Sequence, residues 1–239
     1  AWLGFALMVV GGLMVNVVVL FDTNSIVMFS AYLPMKAHPL FYLSYILFAV
    51  GALIVVITFF INIVVAKREK RFEGSLPLAV FGLMTAAILA VFTLLQGAIA
   101  IVPAFFWSLG MLANYDPGIY RNFFWGFGHP AQQVNLAAMV AVWYMLAQMT
   151  LGIRPLNEKF SRLAFILYLF FINLGSAHHL LVDPGLTFSG KLVNPSYAMY
   201  LAVLGSMMHA FSIPAAIEVA QRVKGFNKGF FGWLRNAPW

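Results

Sequence analysis

The sequence predicts an all-α integral membrane protein with six transmembrane helices, on three observations. Of its 239 residues, 63% are hydrophobic and 9% charged, with a mean hydropathy of +0.91; soluble domains carry about 25% charged residues. The apolar residues gather into six runs, about 1–21, 39–66, 76–106, 123–151, 163–182 and 195–218, and a run of about 20 residues crosses the ~30 Å hydrocarbon of a bilayer. Without water to satisfy backbone groups, six long runs mean a helical bundle and not a barrel. Finally, all but three of the 14 basic residues follow the second, fourth and sixth runs, at one end of the spans.

The first run lacks the basic start and small-residue cleavage site of a signal peptide, so it reads as a span. "LFDTNSIVMFSAYLPMKAHP" is an outer connection with a proline at the start of the second span. That span ends in Lys67, Arg68, Lys70 and Arg71, within a polar inner loop closed by the helix-boundary residues Gly74 and Pro77. The third span leads into "WSLGMLANYDPGIYRN", where Asp116–Gly118 reads as a turn. Arg154, Lys159 and Arg162 follow the fourth span, and a DPG turn follows the fifth. Arg222, Lys224, Lys228 and Arg235 follow the sixth, in "VKGFNKGFFGWLRNAPW", whose aromatic and basic mixture suits the inner headgroups.

Only Lys36, Arg121 and Lys191 lie on the opposite side. The positive-inside rule therefore places both termini of the segment inside. The net charge of +7 then reflects topology and contact with anionic membrane lipid, with no nucleic-acid footprint. There is no cysteine, which excludes disulfides, zinc–thiolate sites and thiolate-ligated haem. No repeat of 20–50 residues is present. Residues 1–239 read as a single transmembrane helical domain, and the absence of an initial Met and of a polar tail after Trp239 suggests a fragment of something longer.

Depth singles out three of the five histidines. A fourth span starting from the outer side at Phe123 puts His129 about six residues in, or roughly 9 Å at 1.5 Å per residue. His178 and His179 lie about one turn from the outer end of the fifth span. Three convergent neutral imidazoles with an open position are what a copper, zinc or iron centre needs. Neighbours on a regular helix point about 100° apart, so an adjacent pair ligates one ion only on a strained helix or through different ring nitrogens. Gly175 and Ser176 before the pair, and Pro130 after His129, mark where such distortion would occur.

A lone histidine near a helix end is more often interfacial or hydrogen-bonded, and an HH pair could be two of these. Intramembrane ionisable residues are nonetheless functional candidates. His209, in "SMMHAFS", reads equally as a proton-path member or a packing residue, and His38, in "KAHP", reads as structural.

"FWGFGHPAQQ" (124–133) and "NLGSAHHLLVDPG" (173–185) resemble the two copper-ligand helices of subunit I of the haem–copper oxidases, a WxxGHP-type helix followed by one with an HH pair. "YLPMKAHPLFYLSY" (32–45), "RLAFILYLFF" (162–171) and "FGWLRNAPW" (231–239) are similar to the B-type branch. The resemblance covers essentially the whole chain. It implies six helices of the twelve-or-more-helix subunit I bundle, in a prokaryotic plasma membrane. It also implies that His129, His178 and His179 bind the copper facing a high-spin haem. The family's hydroxyl-lined proton path maps onto Tyr144, Ser206 and Ser212, with His209 where the branch usually has threonine. Electrons would arrive through a low-spin haem from a cytochrome c or a subunit II-like partner.

Two departures bear on the substrate. Oxygen-reducing members of this type carry, four residues after the GHP histidine, a tyrosine cross-linked to it that supplies an electron and a proton for O–O cleavage. Here that residue is Gln133, one turn along on the same face; an amide can hydrogen-bond a gas or lend its carbonyl to a metal, but forms no radical. In the nitric oxide reductase branch the position holds glutamate, which Gln133 matches in shape without the charge. The resemblance to the B-type branch points to O2, and Gln133 points to NO. No substitute phenol stands one turn before the HH pair, where Ile172 sits, and Tyr168 is about 2.5 turns away, too deep to serve. The second departure is that no remaining histidine fits the axial positions of either haem, so these belong to a longer subunit or to other polypeptides. A transporter with a histidine-lined site is disfavoured, because the spans hold no acidic or basic residue away from their ends. A cofactor-free structural subunit is the other alternative, and metal content separates it.

Overall fold

The computed structural model describes residues 1–27 and 32–223. The stretch 231–239 and the interfacial reading of 224–239 lie outside these residues. The described residues are helical, in the order α1 (Trp2–Phe21), α2 (Pro39–Arg68), α3 (Leu78–Ser108), α4 (Pro117–Leu151), α5 (Glu158–Leu174), a 3-10 segment (Gly175–Leu180), α6 (Phe188–Val193), a π-turn (Asn194–Ala198) and α7 (Met199–Val223). Six stretches are long and apolar enough to cross a membrane, with α6, the π-turn and α7 forming the sixth.

The first three spans match the sequence boundaries closely, and the last three differ. Asp116–Gly118 is no free turn. The Asp116 carboxylate accepts the Ile119 amide at 2.8 Å with Pro117 at the first helical position, so the fourth helix starts well before Phe123. His129 is therefore about three turns from that helix start. The α4 helix continues through Pro130 and ends at Gly152, whose φ of +64° is the left-handed cap. Asn157 caps α5 by accepting the Phe160 amide at 3.1 Å, and Thr187 caps the sixth span in the same way. His38 is structural as expected, its Nδ1 accepting the Leu40 amide at 3.2 Å to cap α2.

The helices alternate in direction, leaving one end with the basic loops and the other with the His129–His178–His179 region. The α1–α2 pair meets through residues with little or no side chain. A Cβ on Gly4 would lie 2.7 Å from the Gly51 carbonyl, and one on Gly11 would lie 2.5 Å from that of Ser44; small residues let backbones approach where lipid gives no hydrophobic drive. Two cores follow. One, at the histidine end, gathers Val18, Phe41, Tyr42, Ala104, Tyr120 and Phe124. The other, toward the basic end, gathers Leu89, Ala137, Tyr144, Phe165, Tyr168 and Ile172.

Candidate metal centre

His129 on α4 is 3% exposed, and its Nδ1 faces His179 Nε2 at 3.3 Å. One ring nitrogen from each of His129, His178 and His179 falls within 4.8 Å of the others. The regular α-helix is interrupted just before the adjacent pair: α5 gives way at Gly175 to the 3-10 segment. The His178 and His179 rings then lie 4.0 Å apart, centre to centre.

The surroundings fix each ring. His178 Nδ1 is 2.5 Å from the Gly175 carbonyl. A carbonyl only accepts, so Nδ1 carries the proton and Nε2 keeps its lone pair for a ligand role. The Trp125 indole stacks on His179 at 3.8 Å and 6°. A side chain at Gly175 would place its Cβ 3.0 Å from His129 Nε2 and 2.8 Å from Met199 Sδ, so glycine lets the two histidine-bearing segments close. Above the cluster, Arg121 donates to both Asp183 oxygens at 2.8 and 3.0 Å, clamping α4 to the turn after the HH pair. Its guanidinium lies 5.0 Å from the Tyr32 ring centre. Burial pushes the Tyr32 phenol above its ordinary value, with the Arg121 charge pulling it back.

These residues fit a transition metal. Two bonds of about 2.0 Å meeting at a tetrahedral angle set donor atoms about 3.3 Å apart, the separation found between His129 and His179. The third nitrogen, from His178, lies within 4.8 Å of both. His129 Nε2 is buried without a hydrogen-bond partner among the described residues, so that ring makes no competing bond on its far side. Three imidazoles suit copper, zinc or iron. Gln133 is half-buried, one turn from His129 on the same helix.

Toward the basic end lies a second polar group, with Tyr144, Ser161, Tyr168 and His209 buried and Ser206 and Ser212 half-buried. Tyr144 OH is 3.0 Å from both Ser161 Oγ and His209 Nδ1, and Tyr168 donates to Ser206 Oγ at 2.8 Å. Ser212 donates to the Met208 carbonyl of its own helix and also borders the Tyr144 hydroxyl. Of the expected path residues, Tyr144 bonds His209 directly, and Ser161 and Tyr168 belong to the same polar group. Sequence reasoning missed Ser161 and Trp125. Both had a signal in helical spacing: Trp125 is one turn before His129, and Ser161 is two turns before Tyr168 on one face of α5.

The family model for cytochrome c and quinol oxidase polypeptide I matches residues 1–236. Cytochrome c oxidase subunit 1 of Thermus thermophilus is 29% identical over 248 residues, covering 100% of this chain and 41% of the relative. A heme-copper terminal oxidase dimer solved by cryo-EM aligns with a TM-score of 0.87 and 29% identity, over 98% of this chain and 41% of that one. The chain thus spans well under two thirds of the length of either relative.

Proposed function

Because the chain belongs to the cytochrome c and quinol oxidase polypeptide I family, we propose that it forms the copper-binding half of a centre that passes electrons to a diatomic gas. The convergence of His129, His178 and His179 carries this reading. These three residues would hold the metal. Bound copper would supply a one-electron redox partner and a Lewis acid beside the high-spin haem. Both haems take their axial ligands from outside this segment: His38 caps a helix and His209 bonds Tyr144. The segment is then the central six helices of a longer subunit I, served by a subunit II-like electron donor or a cytochrome c. Its basic end faces the cytoplasm of a prokaryotic cell.

Each side chain has a separate task. Trp125 holds the His179 plane, the Gly175 carbonyl fixes the His178 tautomer, and the Arg121–Asp183 clamp sets the spacing of the two ligand segments. The Gln133 amide can donate a hydrogen bond to a gas beside the three imidazoles, but cannot deliver an electron. Tyr144, Ser206, His209 and Ser212 line the proton route from the basic end.

The missing phenol favours a reaction that cleaves no O–O bond: two NO, two electrons and two protons give N2O and water. The second reading, O2 reduction to water, is favoured by the relative named as a cytochrome c oxidase. Gas turnover by the purified complex separates them, with O2 uptake and N2O formation followed under one reduced donor and copper and iron measured alongside. N2O formation with little O2 uptake is expected, with copper lost in His178→Ala and His179→Ala variants that remain folded. Brisk O2 uptake would establish the second reading, and copper retained in both variants would overturn the ligand assignment.

A further inference from the structure

We infer that Tyr168 is a proton-relay station, joined to His209 through one bound water, and that it carries the outer half of the route toward the metal centre. The inference rests on the proposed gas-reducing function for its purpose, and on geometry for its parts.

Tyr168 is 0% exposed within a core of Leu89, Ala137, Phe165 and Ile172. A phenylalanine would fill that space without a polar atom, whereas an unpaired hydroxyl there would be destabilising. The hydroxyl is paired across a helix contact, as that of Tyr144 is with Ser161. Ser44, Ser108 and Ser212 turn back onto their own helices, to the carbonyls of Phe41, Phe105 and Met208. Ser206 instead receives the Tyr168 phenol from across the α5–α7 contact.

The polar groups are ordered along the membrane normal. Asn157 and Ser161 stand at the start of α5, and the Asn157 carbonyl is 3.4 Å from Ser161 Oγ. Tyr144 and His209 come next. Tyr168 is two turns beyond Ser161, and Ser206 is one turn beyond His209 toward the histidine end. The break between the halves lies at His209, whose Nε2 is buried without a hydrogen-bond partner among the described residues. The Tyr168 and His209 ring centres are 5.5 Å apart. Buried polar atoms of this kind are met by ordered water, and one water bonded to His209 Nε2 and the Tyr168–Ser206 pair completes the chain.

The inner half has two proton arrangements. Tyr144 has one hydroxyl proton, so it donates to one neighbour and accepts from the other. In the first arrangement Ser161 donates to the Asn157 carbonyl, Tyr144 to Ser161, and His209 Nδ1–H to Tyr144, leaving Nε2 as an acceptor. In the second, Ser161 donates to Tyr144, Tyr144 to His209 Nδ1, and Nε2–H points outward. A proton passing along the chain interconverts the two: one enters at Ser161, each group hands on its own, and one leaves from Nε2 through the water to Tyr168 and Ser206. No electron moves.

The test uses the purified holoenzyme with ring-13C tyrosine. The Tyr168 phenol C–O stretch is identified by infrared difference against Tyr168→Phe, then followed in Ser206→Ala and His209→Ala. It should shift in both, because the water couples Tyr168 to His209. An unmoved band in His209→Ala overturns the link, whether or not any gas is reduced. Proton uptake, read with a pH-indicator dye during turnover, should slow at least tenfold in Tyr168→Phe, with unchanged metal content and haem spectra. Uptake within twofold of the parent overturns the relay role. A parent enzyme that reduces neither gas defeats the proposed function instead, and the infrared coupling still decides the link.

Discussion

Gly175 passes His129 where the fifth span leaves its α-helical course. Its φ of −69° suits any residue, so Gly175→Ala leaves the backbone unstrained and adds one methyl against His129 Nε2 and Met199 Sδ. We expect unchanged helical content by circular dichroism and copper affinity about 10- to 100-fold weaker by competition with a chelator, the range for a lost supporting contact. Copper retained at parental affinity would mean that the ring has slack. Much at this scale was legible in the sequence. The histidines announced themselves because imidazole is costly in hydrocarbon, and Gly175 with Ser176 marked the distortion. The Trp125 stack and the Arg121–Asp183 clamp were not legible, because each joins residues on different helices and depends on how those helices rotate. Tyr168 lies too deep to serve the metal directly; its hydroxyl meets Ser206 of α7 instead, a contact invisible from α5 alone.

At the scale of elements, apolar length located all six spans, and capping chemistry decided their ends. Asp-Pro-Gly begins a turn or a helix equally well, and only the Asp116 bond to the Ile119 amide distinguishes them. The 3-10 segment and the π-turn were beyond periodicity, since both keep an apolar run while changing the residues per turn. The α1–α2 seam makes the sharpest prediction here. A Cβ on Gly51 would lie 2.5 Å from the Gly4 carbonyl, and neither backbone can step aside without parting the helices. Gly51→Leu should therefore destabilise the pair by at least the ~1–3 kcal/mol of core overpacking. A cysteine cross-link between facing α1 and α2 positions should form more slowly in this variant than in the parent. An unchanged cross-linking rate would show that the seam tolerates separation.

Across the whole molecule, large apolar side chains face outward on every span, among them Trp2 at 85%, Phe21 at 77% and Met149 at 75% exposure. Patches of this extent belong against lipid or further helices. Charge alternation was readable from the sequence, and the structure puts Lys67 and Arg162 at one end and Asp183 at the other. The absence of cysteine makes orientation easy to measure. In intact cells, Thr23→Cys should react with a membrane-impermeant maleimide, and Ser75→Cys should react only after permeabilisation; the reverse pattern would invert the topology. The glycine seam also bears on biogenesis. The backbone contacts that unite α1 and α2 involve no later helix, so this hairpin can be complete before the third span leaves the ribosome. The cluster of His129, His178 and His179 instead waits for the fourth and fifth spans to meet. Synthesis of this segment thus closes the α1–α2 pair well before it can gather the three histidines, whose helices come fourth and fifth.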